Sequence, residues 1–233
     1  MIAGENSTGV QEAKRGVVVA IDGPAGAGKS TLAKEMARRL GLPYVNTGMM
    51  YRALASKAVV DGVDPDDAAG LTALVPEIRF DLGPSPSGGD ELVIEGELPS
   101  PSLSSPRVEG VVSRIARHPP VRALMREAQR HLGVGGCVME GRDIGTVVFP
   151  DADLKIFLSA ESVVRARRRE EERGGGDEVA AAVARRDALD ARTNPLAPAS
   201  DAHVLDTTTL DKEQVLAEAL RLFRATGLSG GEV

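Results

Sequence analysis

Eight consecutive residues, Gly23-Pro24-Ala25-Gly26-Ala27-Gly28-Lys29-Ser30, have the spacing of a loop that wraps phosphate. Gly23, Gly26 and Gly28 let backbone N–H groups curl around phosphate oxygens without Cβ clashes. Lys29 supplies a point charge for β- and γ-phosphates, and the Ser30 hydroxyl is a candidate ligand for Mg2+. With Thr31 at the start of the following helix, this stretch is the candidate triphosphate site. Such chemistry needs a strand feeding the loop and a helix leaving it. Val17, Val18, Val19, Ala20 and Ile21 predict a strand over 17–22. Leu32, Met36 and Leu40 share one helical stripe, which predicts a helix over 28–40 ending near Gly41. Its N-terminus turns the positive end of its dipole toward the anion.

The rest of the chain alternates in the same way. A short strand is expected at 43–45, then a helix over 48–60 with Tyr51, Leu54, Ala55 and Ala58 on one stripe. Ile78, Phe80 and Leu82 alternate, as do Leu92 and Ile94, and Pro84-Ser85-Pro86-Ser87-Gly88-Gly89 separates the runs, which reads as a hairpin or small antiparallel sheet. Helices follow at 108–116 and 121–132, and strands at 136–140 and 154–158. Residues 162–173 read as a highly charged helix, broken at Gly174-Gly175-Gly176 and expected to resume over 178–190, a helix–turn–helix pattern suited to a moving lid. A Pro-bearing loop at 194–199, a strand at 204–205 and a helix at 212–224 close the chain. Strands alternating with helices imply an α/β fold with a mainly parallel sheet covered on both faces.

Bulk properties narrow the function. The chain has 233 residues, 42% hydrophobic, enough for one α/β core with insertions. Its formal charge of −6 argues against a nucleic-acid polymer as partner, although basic residues gather at 165–173 and at Arg185 and Arg186. Cys137 is the sole cysteine, so no internal disulfide forms and a cytoplasmic setting fits; beside Val138 and Met139 it reads as inert core. No apolar run approaches the roughly 20 residues needed to span a bilayer. Residues 1–15 are polar, lack a signal-peptide core and read as a flexible extension.

The loop alone specifies a nucleotide and no reaction. A small-molecule kinase, a GTP-driven switch and an ATPase motor all use one. No Asn-Lys-x-Asp guanine signature is present, since Asn194 is followed by Pro195, and the strand closing on Glu140 continues as Gly141-Arg142-Asp143. Among kinases, an alcohol acceptor needs a base. A phosphate acceptor needs guanidinium groups instead, to bring two polyanions together and spread the charge in transfer. Arg52, Arg122, Arg142, Arg165, Arg168, Arg169 and Arg186 supply them, and Arg grips phosphate bidentately.

Several longer motifs add to this. They are Ile21-Asp22-Gly23-Pro24, Thr47-Gly48-x-x-Tyr51-Arg52, the run from Glu140-Gly141-Arg142-Asp143 to Phe149-Pro150, Lys155-Ile156-Phe157-Leu158, Arg165-Ala166-Arg167-Arg168-Arg169, Arg186-Asp187-x-x-Asp190 and Leu205-Asp206-Thr207-Thr208. From about Val17 to Arg224 the chain resembles the bacterial cytidylate kinases, and the Gly-Arg-Asp run is the most specific part. The resemblance implies MgATP and CMP or dCMP as substrates, giving ADP and CDP or dCDP. It implies a phosphate-loop core with a five-stranded parallel sheet (16–46, 134–160 and 192–233), a monophosphate-binding region (47–133) and a lid (161–191). Thr47, Tyr51 and Arg52 are then expected at the CMP phosphate, and Ser113, Arg122 and Asp143 at the cytosine. Arg142 would bridge phosphates, Arg186 and Asp190 would hold the ribose, and Arg165 and Arg169 would close on the transferring group beside Lys29. A monomer is expected. Kinases for UMP or AMP, and a phosphate-loop module without transfer activity, stand as alternatives.

Two positions depart from the family pattern. Thr193 stands where an Arg is usual, with Arg192 one step early. Ser104-Ser105-Pro106-Arg107 replaces an Arg-Thr-Pro-Glu-like segment, so one cation is either lost or relocated to Arg107.

Overall fold

The computed structural model describes residues 16–173 and 197–228. The expected N-terminal extension and the second lid helix, with Arg186, Asp190, Arg192 and Thr193, lie outside the described residues.

Strand β1 (Val18–Asp22) is buried throughout and alternates between two cores. Val18 and Ala20 face one hydrophobic cluster, and Val19 and Ile21 face the other. A strand covered on both faces needs apolar residues at every position, which is why it reads as a continuous run. It feeds the glycine turn and helix α1 (Lys29–Leu40), which ends at Gly41 in the left-handed conformation. Strand β2 (Tyr44–Asn46) passes into α2 (Thr47–Asp61), where the Asn46 side chain accepts from Met49 N at 3.2 Å as a cap.

A helix that periodicity did not indicate, α3 (Ala68–Leu74), follows. Asp67 caps it by accepting from Ala69 N and Gly70 N, and it buries Leu71 and Leu74. Strands β3 (Phe80–Pro84) and β4 (Asp90–Ile94) form the expected antiparallel hairpin. The hairpin is not a separate sheet, however. Strand β4 lies parallel to β2 through the pair Tyr44↔Glu91, giving one seven-stranded sheet. Helices α4 (Pro106–Ala116) and α5 (Pro119–Gly133) each begin on a proline, whose missing N–H costs nothing in a first turn.

The central strands return as β5 (Cys137–Gly141) and β6 (Leu154–Ser159), separated by a π-helical turn at Ile144–Val148. Helix α6 (Ser162–Arg173), strand β7 (His203–Asp206) and helix α7 (Lys212–Ala225) complete the described chain. The five strands in spatial order β2-β5-β1-β6-β7 are parallel, with β4 and β3 added beyond β2. Helices α2 to α5 cover one face, and α1 and α7 the other. Cys137 is fully buried between β-sheet neighbours. No described helix is long and apolar enough to cross a membrane.

Candidate active site

The phosphate-type loop links β1 to α1 at the carboxyl ends of the central strands, where ligands bind in open α/β sheets. Gly26 has φ of +78° and a Cβ there would meet the Arg165 carbonyl oxygen at 2.7 Å, so both backbone angle and space demand glycine. Lys29 is buried and donates from Nζ to the Pro24 carbonyl at 2.8 Å, curled back along the loop.

A cavity of about 170 Å3 opens beside it. Lys29 and Ser30 line it from the loop, and Thr47, Tyr51 and Arg52 from α2. Ser113 comes from α4, Arg122 from α5, Arg142 and Asp143 from the segment after β5, and Arg169 from α6. Ten of the residues expected from sequence thus meet around one space, although they come from positions 29 to 169. Arg165 does not line it. Its guanidinium is buried, donating from Nη1 to the Ala25 carbonyl at 3.1 Å and from Nε to the Ala160 carbonyl at 3.0 Å, so it braces the loop from behind. Arg168 acts in parallel: it reaches Thr207, whose hydroxyl donates to the Ala27 carbonyl at 3.2 Å. As for the departure before α4, Ser104 lines the cavity and Arg107 is exposed away from it.

Charge around the cavity is ordered in pairs. Asp143 Oδ2 accepts from Arg122 Nη2 at 2.8 Å. Arg52, almost fully buried, is paired with Glu109 of α4. Thr47 donates its hydroxyl to the Glu140 carbonyl at 2.7 Å, which ties the start of α2 to the end of β5. The Tyr51 phenol is pushed up to about 12 by burial, so it stays neutral.

Sequence reasoning missed five contributors. Glu140 lines the cavity and accepts from the Tyr44 hydroxyl at 2.7 Å. Burial and the Glu140 charge raise the Tyr44 phenol well above its ordinary range, and its hydroxyl accepts from Asn46 Nδ2 at 3.1 Å. Asp22, buried at the end of β1, accepts from Ile144 N and Gly145 N, both at 2.8 Å, so one carboxylate anchors the π-turn. Burial nevertheless pushes its pKa up to about 6, outweighing both N–H groups and the nearby Lys29 charge. Glu109 and Gln129, the latter buried on the cavity wall, complete the set. The signal for Glu140 was its position as the sole charge in an apolar strand; Glu109 and Gln129 carried none.

The oxygen donors suit a small hard cation. Ser30 and Glu140 line the same space beside Lys29. Mg2+ takes one or two protein oxygens and otherwise keeps water and substrate phosphate. Among the described residues no group of three His, Cys, Asp or Glu side chains is arranged to hold a metal by itself. These residues therefore fit an ion arriving with a polyphosphate, not a caged one.

The family model for cytidylate kinase matches residues 19–225. A cytidylate kinase from Pelotomaculum thermopropionicum is 44% identical over 207 residues, covering 85% of this chain and 92% of that protein. A bifunctional pantoate ligase/cytidylate kinase from Parasynechococcus marenigrum is 45% identical over 218 residues. That match covers 89% of this chain and 44% of the relative, so the chain spans less than half the length of the bifunctional protein. Among solved structures, the shikimate kinase from Bacteroides thetaiotaomicron aligns with a TM-score of 0.47 at 16% identity, covering 91% of this chain and 99% of that one. The match to the family model, with the Pelotomaculum relative aligned nearly end to end, places the chain in the cytidylate kinase family.

Proposed function

We propose that the chain transfers the γ-phosphoryl group of ATP to CMP or dCMP, giving ADP and CDP or dCDP. The observation that carries this is the joint presence around one cavity of Lys29 from the glycine loop and the Arg122–Asp143 pair. Cytosine offers an N4 amino donor beside N3 and O2 acceptors, and a carboxylate next to a guanidinium complements that edge. Uracil would turn O4 toward the carboxylate, at a cost of about 1–3 kcal/mol.

In this reading Lys29 and the loop amides of residues 23–31 hold the ATP phosphates, and Ser30 supplies a protein oxygen to Mg2+, which neutralises phosphate charge when bound. Thr47, Tyr51 and Arg52 face the CMP phosphate, with Ser113 beside the base. Arg142 and Arg169 line the space between donor and acceptor and spread the charge of the migrating group. Arg186 and Asp190 complete the ribose site from the lid (161–191). The core, the acceptor region (47–133) and the lid then work as separate parts of a cytoplasmic, monomeric enzyme.

The test is a panel assay: purified chain, MgATP and each nucleoside monophosphate in turn, with ADP release measured. Release with CMP and dCMP well above the others is expected. Preference for UMP or AMP would transfer the reading to another monophosphate kinase, and no stimulated release would leave a binding module.

A further inference from the structure

Asp143 Oδ2 holds two guanidiniums at once. Arg122 Nη2 lies at 2.8 Å and Arg126 Nη2 at 3.1 Å. The two arginines stand four residues apart on α5, so they share one helix face. They are not equivalent, because Arg122 lines the cavity and Arg126 does not. Both bonds go to the same oxygen. No hydrogen bond to Asp143 Oδ1 is found among the described residues, and that oxygen remains able to accept. The backbone carbonyl of Asp143 is also fixed, accepting from Val147 N and Val148 N.

Resting on the cytosine-recognition reading above, we propose that Arg126 is a positioning residue that sets base selectivity. Arg122 has two duties in that reading. It pairs with Asp143, and it donates to the N3 and O2 acceptors of the base. A guanidinium drawn toward the base loosens its hold on the carboxylate, and a carboxylate as covered as that of Asp143 (16% exposed) cannot lose its partner cheaply. Arg126 approaches from outside the cavity and has no base to serve. It keeps Oδ2 paired while Arg122 turns, so that Oδ1 stays aimed at the N4 amino group. It does so without touching substrate.

The experiment compares Arg126→Met, Arg126→Lys, Asp143→Ala and the Arg126→Met/Asp143→Ala double variant by steady-state kinetics with CMP and UMP, alongside melting temperature. Arg126→Met is expected to raise KM for CMP about five- to tenfold, leave kcat and KM for ATP within about twofold, and narrow the CMP-over-UMP ratio of kcat/KM by a similar factor. Arg126→Lys should restore most of that loss. In the Asp143→Ala background the Arg126 change should add less than about twofold, because a residue acting through another has nothing left to position. If Asp143→Ala narrows the ratio and Arg126→Met does not, the role of Arg126 is overturned while the recognition reading survives. If Asp143→Ala leaves the ratio unchanged, the recognition reading falls and the role of Arg126 with it. Equal losses for CMP and UMP, or a lysine that fails to rescue, would make Arg126 a structural residue only.

Discussion

One carboxylate oxygen of Glu109 lies 2.8 Å from Arg52 Nε and 2.7 Å from Arg52 Nη2, joining helix α4 to helix α2 through a nearly dry ion pair. The exposures of the two side chains, 8% and 16%, leave little water to replace either partner. Glu109→Ala is expected to lower unfolding free energy by about 3 kcal/mol, measured in urea, because it strands a covered guanidinium. A CMP phosphate would supply the missing charge. The rise in Tm on adding CMP should therefore be larger for the variant than for the parent protein. Equal rises would remove Arg52 from the phosphate site.

Arg165 and Lys29 offer a contrast within the loop. Lys29→Ala should reduce kcat about 10²- to 10³-fold, since in the proposed reaction its charge neutralises the transferring phosphate. Arg165 grips the carbonyls of Ala25 and Ala160, so Arg165→Met should mainly raise KM for ATP, with kcat held within about threefold. A kcat loss for Arg165→Met matching that of Lys29→Ala would put its guanidinium at the transferring group instead.

Asp22 predicts a pH dependence of unusual sign for a carboxyl. Its folded pKa of about 6 lies above the ordinary 3.8, so the folded state binds its proton more tightly than the unfolded state. Its contribution to stability is full below about pH 4 and is lost as pH rises through 6, by about 3 kcal/mol in all. Urea unfolding of the parent protein and Asp22→Asn at pH 4.5 and 7 isolates it. The advantage of the parent over the variant should shrink as pH rises. A constant difference would mean that the two backbone N–H groups offset burial in full.

Cys137 should resist thiol reagents in the native state and react at once in denaturant, since burial pushes its thiol up to about 12 and no solvent path reaches it. Native labelling at the rate of a free thiol would show that β5 opens locally.

What the sequence disclosed was local or strongly periodic. The glycine loop, its strand and its helix are set by spacing alone, and the buried β1 and β5 announce themselves as unbroken apolar runs. Helix α3 escaped because seven residues including Gly70 give barely two turns, although Asp67 marked its start. The attachment of the hairpin to β2 rests on one pair, Tyr44↔Glu91, between residues far apart in the chain, and no local pattern encodes it. Glu109 and Arg126 look like the solvated charges of any amphipathic helix; only the packing of α4 on α2, and of α5 beside the π-turn, brings them to Arg52 and Asp143.

That single pair has a consequence for solubility. Without residues 80–94 the outer backbone of Tyr44–Asn46 would stand open on a flank of the sheet, a template for a second molecule to add a strand. The hairpin covers it and offers in its place a strand ending on Pro84, which has no N–H to donate. At the opposite margin, β7 is only four residues long and mostly charged or exposed. The hairpin thus works as a selvage, and a variant trimmed of it should aggregate before the cavity, which residues 80–94 do not line, is disturbed.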